Sequence, residues 1–523
     1  MKAGRLALGL RLTLGLLLPL VLAACQPKAA DTLTVLAGSE LKDLEPILPD
    51  IERKAGVKLS FTYTGTLDGA QRISDGDGRD LAWFSHAKYL SLQPKVAGRI
   101  KASEKIMLSP VIMGVKVGKA RAWGWDTRGV TWKDIEEKAA SGELKYGMSN
   151  PAASNSGFTA LVGVVAALSG KGDAITEADV RAPALKSFFK GQALTAGSSG
   201  WLADAYVRDQ DALDGLVNYE SVLLSLNAGG KLREKLTLLY PREGIVTADY
   251  PLLLLNDAKR AAYTRLVDAL KSPEIQREIM EKTLRRPVNP QVQTGSTFPK
   301  NLLVELPFPG QLSTVNAILT AYLDENRRPA HTIFVLDTSG SMDGDRLDSL
   351  KAAMDNLTGS DTTLSGRFAR FQARERVSVV SFSSDVNGQQ DFTLGTRGQA
   401  APTLQAIRQY VDNLSADGGT AIYSALERAY TLAGEAAKAD PERYQTIVLM
   451  TDGENNHGAS QNDFLNFYRR LPAQVRAVKT FTVLYGEGSK ADMQAIAEET
   501  GGRVFDGRAG GLAGAFKEIR GYQ

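Results

Sequence analysis

Apolar residues along this chain fall into two alternating patterns. Short unbroken runs of four or five, often β-branched, suit buried strands; longer stretches with apolar positions every three or four residues suit amphipathic helices. Their alternation predicts α/β sheets with mainly parallel strands. In the first half, strands are expected over residues 32–36, 57–61, 80–84, 112–117 and 215–221. Helices are expected from Glu40, with Ser39 as the cap, and over residues 132–140, 158–168 and 258–282. Another helical stretch, 313–323, runs into Asn326, Arg327, Arg328 and Pro329, which read as a short linker. The final part repeats the alternation, with strands at 332–336, 377–382, 446–450, 481–484 and 503–505. Its helices are expected at 347–357, 403–414, 421–437, 463–471, 491–500 and 512–519. Such a doubly wound pattern gathers the loops at the carboxyl ends of the strands along one edge.

The N-terminal residues depart from this alternation. Lys2, Arg5 and Arg11 lead into or border the apolar run 12–22, which has the length of a signal-peptide core and is too short to span a bilayer well. Leu22, Ala23 and Ala24 then precede Cys25, the one cysteine of the chain, so an intramolecular disulfide is excluded. This stretch resembles a bacterial lipobox. The resemblance implies residues 1–24 as a signal peptide, acylation of Cys25 (palmitate among the chains), a tether over 25–31, and a lipid-anchored place in the cell envelope. Gln26 stands where an aspartate would, in that family's sorting rule, favour the inner membrane, which implies the outer membrane in a host with two. Several acyl chains hold a protein on a membrane durably.

Composition adds mainly exclusions. With 523 residues, 43% apolar and 23% charged, the chain is long enough for several ordinary globular domains. Its formal charge of +3 makes no electrostatic case for nucleic acid.

The run Ile333, Phe334, Val335, Leu336 ends at Asp337, Thr338, Ser339, Gly340, Ser341. A tight loop there can aim one carboxylate and two hydroxyls at one point, and hard oxygen ligands suit a small divalent cation. Thr420 follows Asp417, Gly418 and Gly419 at the start of a helical run, and Asp452 ends the strand-like run 447–450. Together these residues resemble the metal-ion-dependent adhesion site of von Willebrand factor type A domains. That resemblance implies Mg²⁺ (or Mn²⁺) contacted directly by Ser339, Ser341 and Thr420, with Asp337 and Asp452 acting largely through water. It also implies an acidic residue of a protein partner as the last ligand, and a doubly wound, Rossmann-like domain over 331–523.

Residues 32–300 resemble extracellular solute-binding proteins of the molybdate and sulfate type, on the strand and helix order and on the loop Ser149 to Gly157 opening an apolar helix. The resemblance implies a two-lobed, periplasmic-binding-protein-like (type II) module that closes on its ligand, with 301–330 connecting it to the next domain. Position by position it implies Ser39, Thr66, Ser154, Ser156 and Tyr219 as neutral hydroxyls around a small oxyanion. The first loop departs from that family's run of small residues by placing Glu40 beside Ser39.

Catalytic signatures are missing. Three histidines and one cysteine do not make a zinc site, and neither a phosphate-binding P-loop nor a G-x-S-x-G elbow occurs. Ser341 has no evident partner base. The expectation is a non-enzymatic surface lipoprotein that grips a protein through a metal. A second reading is the receptor of an ABC-type transporter for a small oxyanion, with the C-terminal domain as a docking module.

Overall fold

The computed structural model describes residues 31–171, 175–181, 183–299, 303–486, 489–508 and 511–523. The signal-peptide run, Cys25 and the tether up to residue 30 lie outside the described residues. Three sheets organise the rest. The first has strand order Val57–Tyr63, Asp31–Ala37, Leu81–Trp83, Pro251–Leu254, Ala102–Lys105. The second is built on Met107–Lys116, with Gly215–Tyr219, Tyr146–Ser149 and Gln192–Ala196 to one side and Thr247–Ala248 pairing its other edge. The chain crosses from one lobe to the other between Ala102–Lys105 and Met107–Lys116, and returns between Thr247–Ala248 and Pro251–Leu254. Two lobes joined by crossover strands result, as expected from the sequence.

The third sheet runs Val386–Thr393, Arg376–Phe382, Ala330–Asp337, Tyr444–Thr451, Lys479–Leu484, Val504–Asp506, all parallel except the first, which is an antiparallel edge. Its central strand shows why an unbroken apolar run was required. Phe334 and Leu336 pack on one face with the helices Asp345–Asp355 and Leu512–Arg520, while Ile333 and Val335 pack on the other with Ile422–Ala439. Both faces are buried, so alternation would have left one of them polar against a core.

Some local expectations fail for identifiable reasons. Ser39 does not cap a helix: Gly38 holds the cap position and Ser39–Ile47 winds as a 3-10 segment before the α-helix Leu48–Ala55. Pro46 lacks an amide donor, which disfavours regular α winding there. The stretch 258–282 is two α-helices, Arg260–Lys271 and Pro273–Thr283, because Ser272 is extended ahead of Pro273 and accepts from the Ile275 amide. The edge strand Val386–Thr393 is half polar and largely exposed, so it carried no apolar signal.

The modules pack against each other. The helix Leu312–Ala321 contributes Val315, Ile318 and Leu319 to the core of the first module. The C-terminal domain then touches both lobes. Toward the lobe containing Asp31–Ala37, the Leu364 amide donates to Gln71 Oε1 at 2.6 Å and Lys517 lies 3.6 Å from Asp68. Toward the other, Lys479 pairs with Asp209 at 2.9 Å and Tyr522 meets Trp201 edge-on with ring centroids 4.7 Å apart.

Candidate functional site

In the C-terminal sheet the chain leaves the central strand Ala330–Asp337 toward Arg376–Phe382 and later returns on the opposite side as Tyr444–Thr451. The loops after Ala330–Asp337 and Tyr444–Thr451 therefore diverge, leaving a crevice at the carboxyl ends of adjacent strands. Asp337 ends one of these strands and Asp452 immediately follows the other.

The Asp337 carboxylate is fully buried and organises the loop. Its Oδ1 accepts from the Ser339 amide at 2.8 Å and its Oδ2 from the Thr451 hydroxyl at 2.5 Å. The loop thus turns so that the Ser339 and Ser341 hydroxyls stand 3.1 Å apart, and Ser341 donates to Asp452 Oδ1 at 2.8 Å. Thr420 arrives from a third loop: its amide donates to Asn456 Oδ1 at 2.8 Å and its carbonyl accepts from the Asn456 amide at 2.9 Å. A Cβ on Gly453 would lie 3.6 Å from Thr420 Oγ1 and 3.8 Å from Ser341 Oγ, so both hydroxyls approach the same point above that glycine. The structure thus brings Asp337, Ser339, Ser341, Thr420 and Asp452 to one crevice. Ser341 is exposed and the other four are buried, which leaves the cluster open on the Gly340–Ser341 side.

Burial pushes the Asp337 carboxyl above its ordinary value, opposed by the hydrogen bonds from Thr451 and Ser339, and the charge of Asp452 adds to the rise. Two adjacent buried carboxyls call for a cation. Arg346, at the start of the helix Asp345–Asp355, supplies part of one by pairing with Asp452 Oδ2 while also donating to the Ser341 carbonyl at 3.3 Å. The donors at hand are two carboxylates and three hydroxyls, an all-oxygen set that fits a small hard divalent ion and not a soft one. Among the described residues no cluster of three His, Cys, Asp or Glu offers another metal centre. Sequence reasoning singles out neither Arg346 nor Thr451. Their only signal is nearness, five residues after Ser341 and one before Asp452. His457 is exposed at the rim, where Nδ1 meets Asn456 Oδ1 at 2.7 Å.

Most of the hydroxyls expected around an oxyanion in the first module have partners within the protein. Thr66 donates to Asn155 Oδ1, and Ser156 Oγ meets both Ser149 Oγ at 2.7 Å and Ser154 Oγ at 3.1 Å. Tyr219 is buried with its hydroxyl unpaired among the described residues. Thr66, Ser154, Ser156 and Tyr219 thus gather at the junction of the lobes, and Ser39 sits between Gly38 and Glu40, both of which lie against Asn155. Two residues that the family pattern does not supply hold the middle: Asn155 Nδ2 donates to both carboxylate oxygens of Glu40, at 2.9 and 3.1 Å. Burial raises the Glu40 carboxyl above its usual value, against the hydrogen bond from Asn155 and the charge of Arg285. Burial lifts the Tyr219 hydroxyl well above its ordinary value, and the charge of Glu40 adds to this.

Comparison with known proteins agrees with this two-part architecture. Residues 33–283 match the model of the bacterial extracellular solute-binding protein family, and residues 332–513 that of the von Willebrand factor type A domain. An uncharacterized protein of Synechocystis sp. is 35% identical over 136 residues, 26% of this chain and 28% of that protein. The human inter-alpha-trypsin inhibitor heavy chain H3 is 29% identical over 160 residues, 29% of this chain and 16% of that protein. The chain therefore spans well under a third of the length of either curated relative. Among solved structures, the periplasmic binding protein AfuA from Actinobacillus pleuropneumoniae, described with fructose-6-phosphate bound, is 16% identical, with 57% of this chain and 98% of that chain covered and a TM-score of 0.44.

Proposed function

From a chain that joins a bacterial extracellular solute-binding domain to a von Willebrand factor type A domain, we propose a surface-anchored binding protein that holds a protein partner through a divalent cation at Asp337, Ser339, Ser341, Thr420 and Asp452. The observation that carries the reading is the convergence of these five oxygen-bearing residues from three loops, with one side open to solvent. Ser339, Ser341 and Thr420 would be the direct ligands, and Asp337 would set the loop by accepting from the Ser339 amide and the Thr451 hydroxyl. When bound, Mg²⁺ or Mn²⁺ supplies a concentrated positive charge with a free coordination position, suited to a carboxylate. With neutral hydroxyls as the direct ligands and the Asp337 and Asp452 carboxylates acting through water, an aspartate or glutamate of the partner completes the ion's coordination. The solute-binding family is extracytoplasmic, and among the described residues no helix is long and apolar enough to cross a membrane. Anchoring through a lipidated Cys25 accounts for both in this reading.

Calorimetric titration of the full chain with Mg²⁺ and with Mn²⁺ tests it. One saturable site is expected, abolished in Asp337→Ala with the far-ultraviolet circular dichroism unchanged. Partner capture that persists in excess chelator would overturn it. For the anchor, Cys25→Ser should move the protein from the membrane to the soluble fraction of the cells that make it.

A further inference from the structure

The inter-lobe cleft contains a carboxylate of the chain itself. Glu40 follows the first strand of one lobe, and Asn155 is the first residue of the helix Asn155–Ser169 in the other. The two Asn155-to-Glu40 hydrogen bonds therefore cross the cleft and place a negative group at a helix N-terminus, where an anion is stabilised. Thr66, from the same lobe as Glu40, closes a second link by donating to Asn155 Oδ1. A third contact is steric: a Cβ on Gly65 would collide with the Ala153 carbonyl oxygen across the cleft, so the lobes meet there at the closest approach that glycine allows.

The remaining surroundings of Glu40 are mixed in charge, with Arg285 favouring its carboxylate and Asp43 opposing it. The tyrosines Tyr219 and Tyr250 lie within the reach of its charge, as does the buried guanidinium of Arg285, which donates to the Glu40 carbonyl at 3.0 Å and to Asp43 at 2.6 and 2.7 Å. A free oxyanion entering this place would meet a fixed carboxylate and find Asn155 and Thr66 already engaged. Asn155 and Thr66 could serve it only by giving up bonds they already make, which leaves the unpaired hydroxyls of Tyr219 and Tyr250 as the free donors there.

We propose that Glu40 is a built-in occupant of the inter-lobe site, so that the first module stands closed without an external solute and serves as a rigid mount for the C-terminal domain. The lobes of a receptor must open to admit and release solute. Here an internal group supplies the cross-cleft bonds without any solute, and the C-terminal domain touches both lobes. This inference concerns the first module alone and holds or fails independently of the metal site.

The test compares the full chain with Glu40→Ala by thermal shift and calorimetry, using sulfate, molybdate, acetate and formate as probes. Wild type should show no saturable binding of any of the four at millimolar concentration. Glu40→Ala should melt lower and be restored saturably by acetate or formate, but not by acetamide. One equivalent of sulfate or molybdate bound by wild type would overturn the proposal, as would a Glu40→Ala protein whose melting responds to carboxylates no more than wild type does. Small-angle scattering of wild type alone decides the matter if the variant does not fold. A radius of gyration that matches the closed form and is unchanged by 10 mM sulfate, roughly ten-thousandfold above a micromolar Kd, is expected. An open form that contracts on adding the anion would overturn the proposal.

Discussion

The Asn150 side-chain amide donates to the Arg520 carbonyl oxygen at 3.2 Å, joining the loop that opens the inter-lobe helix to the last helix of the C-terminal domain, 370 positions later. Beside this bond, Tyr522 inserts its ring among Trp201, Phe481 and Phe505, with centroids 4.7, 5.3 and 5.6 Å away. The aromatic cluster spans both modules, because Trp201 belongs to the first and the others to the second. Tyr522→Ala should remove about 3 kcal/mol. In calorimetry, a single unfolding transition should separate into two, one for each module.

A buried ion cluster fastens the linker to the same junction. Arg520 donates to both oxygens of Glu375 at 2.8 Å, and Arg327, from the linker, pairs with the same carboxylate. Burial works against the charge on Glu375, but Arg520 and Arg327 outweigh it and hold the carboxyl below its ordinary value. A depressed carboxyl stabilises the fold above its unfolded value and loses that contribution as pH falls through the folded one. Glu375→Ala should cost about 3–5 kcal/mol at pH 7, because two buried guanidiniums lose their partner. Urea denaturation should show the difference between wild type and variant shrinking in acid.

Two buried histidines give the fold a separate acid sensitivity. Burial lowers His331 to about 3, with Arg376 adding to the fall, and lowers His86 to about 4 against the opposing charge of Asp249. Both are neutral when folded and take up a proton near 6.5 when unfolded, so their contribution is complete above about 6.5 and declines below it. Each should remove up to about 1.4 kcal/mol per pH unit between 6.5 and its folded value. His331→Asn should flatten the stability profile between pH 6 and 4, measured by urea denaturation at each pH.

Arg346 competes for Asp452 with any cation in the crevice. Its side chain is 37% exposed, so solvent screens the pair and the competition is worth about 1 kcal/mol. Arg346→Ala should therefore strengthen Mg²⁺ binding a few-fold in calorimetric titration. Weaker binding would mean that the guanidinium supports the site.

Legibility from sequence followed the range of the interactions involved. The strand Ala330–Asp337 was readable because an apolar run buried on both faces has no polar alternative, and the loop from Asp337 to Ser341 because its oxygens are spaced within one turn. The polar edge strand Val386–Thr393 was not readable, since exposure leaves its pattern without an apolar face. The same division separates the two candidate sites. Local order alone determined the two α/β modules and which residues could offer oxygen ligands. Only the tertiary structure decided that Thr420 meets Ser341 above Gly453, that Arg346 turns onto Asp452, and that Glu40 reaches Asn155 across the cleft. Each of those contacts joins segments whose separation is set by sheet order and lobe closure, and neither quantity is written in the spacing of residues along the chain.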